Sequence, residues 1–187
     1  MEEARLLIAR HAPLATPGLA GRRDVPADCS DRAALGWLAG QLRGMPLLSS
    51  PALRCRQTCE AMGLEARAVP ALWEQDLGAW ETEGLPDLGP LSPADLARHR
   101  PPGGESFLDM AARVQPVLAE ILGTVGIVAH AGTVRAALAL AVGPAALSFA
   151  VAPLSLTILS RSAGGWAVEA VTVSYTHLRA HETRGNL

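Results

Sequence analysis

The sequence predicts an α/β fold: a three-layer α/β/α sandwich with a mostly parallel central sheet. Three observations carry it. Short runs such as "ARLLIA" (Ala4–Ala9) and "TVGIVAH" (Thr124–His130) are apolar on both faces, as strands covered by helices on either side are. Segments of helical period lie between them, with polar caps ahead and glycines behind. Two of the runs lead directly into a histidine, which puts polar chemistry beyond the carboxyl ends of strands, where open α/β sheets bind their ligands.

The elements follow in order. After Ala4–Ala9, the run "HAPLATPGLAGRRDVPAD" (His11–Asp28) is about eighteen residues of Pro- and Gly-rich loop, a length that points to function. "SDRAALGWLAGQLRG" reads as a helix with its N-cap at Ser30 and a stop at Gly44. "MPLLSS" is a short strand. "PALRCRQTCEAMG" places Pro51 in a first helical turn and Gly63 past the end, with Ser50 as its N-cap. Residues 66–106, rich in Pro, Gly, Trp and acids, read as a cover over a pocket rather than as core. "ESFLDMAARVQPVLAEILG" is a helix that carries Pro116 inside it, and Glu105 and Ser106 suit its start. "TVGIVAH" is a strand and "AGTVRAALALAVG" a helix directly after it. "LSLTILSRSAGGWAVEAVTV" is a hairpin turning at "AGG".

A chain of 187 residues with this pattern is one domain, predicted over residues 1–173. Residues 174–187, "SYTHLRAHETRGNL", have no apolar period and read as a non-native or disordered tail. The composition is 49% hydrophobic and 18% charged, that of a globular protein. A net charge of -2 gives no cationic field, so neither nucleic acid nor membrane is an expected partner. The longest apolar stretches are interrupted by Pro, Gly, Ser or Arg and are expected to fall short of a membrane span. The opening "MEEARLLIARH" lacks the charge pattern of a signal peptide, and Cys29, Cys55 and Cys59 make no disulfide framework. A cytoplasmic location is expected, with Cys55 and Cys59 as core residues and Trp37 likewise. His177 and His181 have i,i+4 spacing but lack the order of a metalloprotease pair, so no metal and no cofactor are expected.

All 16 cationic side chains are arginine, so an anion here meets Arg forks, histidine or backbone N–H groups. Arg10 and His11 follow the first strand, Ser50 and Arg54 the second, and His130 the third, with Arg135 one helical turn further on. Parallel strands bring these ends to one edge, and the helix after His130 adds its N–H groups and dipole. Two arginines and two histidines, with Glu74 and Asp76 in the cover, form a pocket suited to phosphate. Trp73 and Trp80 in the cover fit either a substrate mouth or ordinary packing.

At these residues the sequence resembles the histidine phosphatase superfamily, the phosphoglycerate-mutase-like proteins. "IARHAP" is similar to their Arg-His-Gly strand end. "SSPALRCRQTCEAM", "LWEQDLGAWE", "PPGGESFLDMAARV" and "VGIVAHAGTVRAAL" are similar to four further segments, in family order, across about residues 5–172. The resemblance implies a phosphoglycerate-mutase-like fold and a metal-independent phosphomonoesterase. His11 would be the nucleophile that forms a phosphohistidine. Arg10, Arg54 and His130 would hold the phosphoryl oxygens. Glu74 would protonate the leaving oxygen and then help water attack, with Asp76 and Glu81 as neighbouring carboxylates. Neutral imidazole is a competent nucleophile near pH 7, and positive neighbours keep it neutral.

The pattern departs from the family where Ala12 and Ala131 replace glycines after each histidine, and where Pro17, beside Thr16, stands in place of a polar Asn. Thr16, Arg22, Trp73 and Ala131 are the residues expected to line the substrate. The loop "RHAPLATPGLAGRRDVP" resembles the α-ribazole phosphatases of cobalamin synthesis, which makes α-ribazole 5′-phosphate the expected substrate. A broad-specificity phosphatase or a mutase is the alternative enzyme, and a non-catalytic phosphate-binding regulatory module the alternative outside enzymes. The expected partner is a small phosphorylated metabolite, bound by a monomer or homodimer.

Overall fold

The computed structural model describes residues 3–176, so His177 and His181, and most of the predicted tail, lie outside the described residues. Six strands form one sheet in the order β3-β2-β4-β1-β5-β6. They are β1 (Ala4–Arg10), β2 (Leu47–Ser49), β3 (Arg67–Ala68), β4 (Gly123–Ala129), β5 (Leu156–Ser162) and β6 (Gly165–Val173). The first four are mutually parallel; β5 runs antiparallel to β1 and turns into β6 as the predicted hairpin.

Alternation along β1 explains the layers. Leu6 and Ile8 point to one face, where α5 (Phe107–Ala119) and α6 (Ala131–Val142) cover them. Leu7 and Ala9 point to the other, against α1 (Arg32–Leu42) and α2 (Leu53–Ala61). A strand buried on both sides has no polar face to show, which is why "ARLLIA" does not alternate. The cover holds the short helices α3 (Trp80–Glu83) and α4 (Pro93–Arg98), a 3-10 turn over Pro70–Leu72, and the short strand β3.

Several local expectations are corrected. The N-cap of α1 is Asp31, whose carboxylate accepts from Ala34 N–H at 3.0 Å, and not Ser30. Pro51 precedes α2 rather than standing in its first turn. Ser106 caps α5 in a reciprocal box with Asp109, and Pro116 lies inside that helix as expected. The run Ala131–Ser148, at mean hydropathy 1.3, is by length and composition apolar enough to cross a membrane, contrary to the reading of interrupted stretches. In the fold it is two pieces. Its first is α6, whose Val134, Ala137 and Leu138 are buried against the core, and Gly143 at φ +60° ends that helix. Cys55 and Cys59 are buried, burial raises both thiols, and both pack into the core as expected. Trp37 packs against the same cluster, and so does Tyr175, at the start of the predicted tail.

Candidate active site

Strand register builds the centre. Arg10 pairs with Ala129 across β1 and β4, and Ser49 with Val128 across β2 and β4. His11, His130 and Ser50 are each the next residue after their strand, so the three meet at one sheet edge. His11 N–H donates to Ala129 O at 2.9 Å and Ser50 N–H to Val128 O at 3.0 Å, which closes that edge. The two imidazoles, both buried, meet edge-on with centroids 5.2 Å apart and planes at 68°.

Hydrogen bonds fix the tautomers. His11 Nδ1 lies 2.6 Å from the Ala12 carbonyl, which only accepts, so Nδ1 carries the proton and Nε2 the lone pair. Burial pushes the His11 pKa down to about 3; the Ala12 carbonyl opposes this, and the charges of Arg54 and Arg10 add to it. His11 is therefore a neutral imidazole at physiological pH. His130 Nδ1 accepts from Arg54 Nε at 3.2 Å, so its Nε2–H donates to Ser50 Oγ at 2.8 Å. Burial first, then Arg54, also lowers His130 well below its ordinary value. Ser50, expected only to cap a helix, accepts this bond while its Oγ also takes Ala52 N–H at 3.3 Å.

The arginines differ in what they leave available. Arg54 is fully buried and donates to His130 and to the carbonyls of Ala20, Gly21 and Arg23. It anchors the His11–Asp28 loop and offers the site mainly its charge. Arg10 donates through one terminal nitrogen to Val151 O, while its buried Nε has no hydrogen-bond partner among the described residues. A buried guanidinium N–H without a partner is costly, and an anion in the pocket would repay it. Arg135 donates its Nε to Phe149 O at 3.1 Å, two residues from the Arg10 contact, and its charge bears on Arg10.

Glu74 reaches the edge from the cover. Its Oε2 accepts from Gly132 N–H at 3.2 Å, at the N-terminus of α6, and its Oε1 from Gln75 N–H at 2.9 Å. A side chain on Gly132 would drive its Cβ into Glu74 Oε1, so the approach requires glycine there. Asp76 and Glu81, the neighbouring carboxylates, are engaged elsewhere. Asp76 Oδ1 accepts from Gly78 N–H. Glu81 accepts from the N–H groups of Arg22 and Arg23, each at 2.8 Å, and so ties the His11–Asp28 loop to the cover.

The segment bearing Glu74 is pinned by a residue that the pattern did not single out. Arg113 of α5 donates to the carbonyls of Ala71, Trp73 and Glu74 at 2.7–2.8 Å and grips Glu105 in a two-pronged pair at 2.8–2.9 Å. That uses all five of its N–H groups. Glu105 also accepts from Asp76 N–H at 3.1 Å. Burial opposes its charge, but the bonds from Arg113 and Asp76 outweigh it and hold the carboxyl below its ordinary value. The only hint in the sequence is that Glu105, just ahead of the N-cap of α5, and Arg113, in the middle of that helix, stand eight residues apart.

The residues expected to line the substrate have these places. Arg22 lies over the Trp73 ring at 5.7 Å, and Trp73 Nε1 donates to Gly21 O at 3.2 Å, so the pair joins loop to cover. Thr16 is exposed on the loop, and Ala131 opens α6. Ala12 is buried, its N–H donating to Thr58 Oγ1 at 3.0 Å. Neither Ala12 nor Ala131 has a positive φ, so a methyl group fits where the family pattern has glycine. Trp80 is buried and stacks on His99 with centroids 5.3 Å apart.

The sheet edge thus carries paired neutral imidazoles, flanking guanidiniums and one carboxylate at a helix N-terminus, an arrangement suited to an anion in an α/β domain. The family model described as the histidine phosphatase superfamily (branch 1) matches residues 6–174, and the chain belongs to that superfamily. The structure of TTHB049 from Thermus thermophilus is 30% identical, with a TM-score of 0.67, covering 83% of this chain and 92% of that one. Mycobacterial glucosyl-3-phosphoglycerate phosphatase shares the fold at TM-score 0.75 and 24% identity, covering 91% and 99%. The human 6-phosphofructo-2-kinase/fructose-2,6-bisphosphatase 4 is 30% identical over 155 residues, 76% of this chain. The chain spans about a third of that relative's length, 33%.

Proposed function

We propose that the protein is a metal-independent phosphomonoesterase working through a phosphohistidine. The observation that carries this reading is the His11 tautomer: Nδ1–H held by Ala12 O, with the Nε2 lone pair left for phosphorus. His11 Nε2 forms a bond to phosphorus as the ester P–O bond breaks, and Glu74, as the acid, gives its proton to the leaving oxygen. Water then attacks phosphorus, Glu74 takes the water's proton, and the P–N bond returns its electron pair to Nε2. Arg10, Arg54 and His130 stabilise the phosphoryl charge in both steps.

For the substrate, the reading is a small phosphorylated metabolite, with α-ribazole 5′-phosphate the first compound to assay and cobalamin synthesis its setting. Its support is the resemblance of the Arg10–Pro26 loop. Part of that loop has a structural reason of its own: Gly21 approaches Gln75 too closely for a side chain, and Asp24 accepts from Leu53 N–H at the start of α2. A cytoplasmic setting belongs to the same proposal. The test is rapid quench with labelled p-nitrophenyl phosphate in EDTA. The expected result is an acid-labile, base-stable phosphoryl adduct on His11 with turnover intact. Loss of turnover in EDTA, restored by a divalent metal, overturns the metal-free mechanism.

A further inference from the structure

A cavity lies beside the segment that carries Glu74. It has about 450 Å3, within the size range of ligand pockets, and lies between the cover and α6. Gln75, the residue after Glu74, lines it, and so does Arg135, whose charge reaches Arg10. The rest of its wall is largely apolar. Leu85, Leu91 and Leu96 line it, and these are among the few large hydrophobic side chains that stand exposed in the described structure. Trp80, stacked on His99, forms part of the wall. Exposed leucines gathered at one concavity, rather than scattered, mark a surface that a ligand covers.

We infer that this cavity receives the far part of the leaving group, and that this part is apolar: an aryl or extended alkyl moiety, carried directly or, as in a ribazole, beyond a ribose, rather than a bare polyhydroxylated sugar. The inference rests on the phosphatase reading, and the connection of Glu74 to the cavity wall supplies its direction. The proton donor stands on the side of phosphorus from which the alcohol departs. In that reading Glu74 is the donor, and the chain passes from it directly into the cavity wall at Gln75. An alcohol protonated by Glu74 therefore extends towards the leucines. A sugar there would leave its hydroxyls facing leucine methyl groups, with few polar partners to replace water.

The test is a series in which chemistry is constant and apolar size varies. Ethyl, butyl, hexyl and 2-phenylethyl phosphates all release primary alkoxides of similar leaving ability. The expected result is that kcat/KM rises on the order of tenfold or more from ethyl to hexyl, with 2-phenylethyl as good as hexyl and glycerol 3-phosphate no better than ethyl. In Leu91→Ser/Leu96→Ser that ratio collapses; both positions are partly exposed, so the fold tolerates the change. The same series of alkylphosphonates, titrated by calorimetry, reads binding without turnover. A flat series in the wild type, or a slope that survives the leucine substitutions, overturns the inference. Absence of p-nitrophenyl phosphate hydrolysis overturns the phosphatase reading instead, and the phosphonate series then still decides what the cavity binds.

Discussion

The two halves of the site are held by different physics. His11, His130 and Ser50 are set by strand register, with backbone hydrogen bonds and burial on both faces of the sheet behind them. Glu74 sits in a cover of short helices and turns, where few backbone bonds repeat. Its place depends on side chains and backbone from distant parts of the chain: Arg113 of α5 on its carbonyl, Gly132 N–H of α6 on its carboxylate. A register edge moves only if the sheet moves. A segment clamped by side chains moves if one clamp is lost, so the acid half of the site is the half that single substitutions can loosen.

The largest effect falls on the register half. His11→Ala removes the proposed nucleophile and is expected to lower kcat by roughly a thousandfold or more on every ester, whatever its leaving group. On the cover half the loss depends on the ester. Glu74→Gln keeps the shape but cannot transfer a proton. It slows an alkyl phosphate by about a hundredfold or more, and p-nitrophenyl phosphate, whose leaving group needs little proton help, far less. A burst experiment establishes that phosphorylation of His11 limits both rates. Asp76→Asn is the control; if it shows the leaving-group dependence and Glu74→Gln does not, the acid is Asp76.

Arg113→Lys probes the clamp directly. Lysine keeps the charge but has three N–H groups and no fork, so it cannot hold Glu105 and three carbonyls together. The expected loss is on the order of tenfold on alkyl phosphates and smaller on p-nitrophenyl phosphate, in the same sense as Glu74→Gln. In the double variant the losses do not multiply, because the clamp acts through the acid. Equal losses on both esters make Arg113 a general stabiliser of the cover and remove its link to the proton.

The last effect is on stability against pH rather than on rate, and it belongs to the buried register half. His11 has its pKa lowered from 6.5 to about 3 by burial, and His130 is lowered too. Above pH 6.5 both rings are neutral in the folded and unfolded chains, and the stability is fully present. As pH falls from about 6.5 towards 3, the unfolded chain takes up protons that the folded chain refuses, so stability is lost. Between about pH 6.5 and 5 the His11 share is about 2 kcal/mol. Denaturant melts at about pH 7.5 and pH 5, either side of that window, check this, and His11→Asn reduces the loss. An unchanged loss in that variant places the acid sensitivity elsewhere.

The register half is legible in the letters because its signal is short-range. "ARLLIA" and "TVGIVAH" show burial on both faces in their own residues, and parallel strands necessarily share one carboxyl edge. Glu74 is legible only as one carboxylate among Asp76 and Glu81, since an irregular segment has no period from which to read orientation. Ser50 reads as a helix cap because a local role accounts for a serine before a helix, and its bond to His130 spans 80 residues.

The letters alone therefore suffice for the sandwich, the parallel sheet edge and the placement of Arg10, His11 and His130 at it. Apolar period, caps and strand ends are properties of neighbouring residues, and a strand's end is also its address in the sheet. The packed molecule decides the rest: which nitrogen of His130 holds its proton, that Glu74 rather than Asp76 accepts from the N-terminus of α6, and that Arg54 spends its donors on the loop while Arg113 holds the Glu74 carbonyl. Those outcomes depend on hydrogen bonds between groups 31 to 76 residues apart. Such pairings follow from how the helices and the cover pack, and no local pattern of letters encodes them.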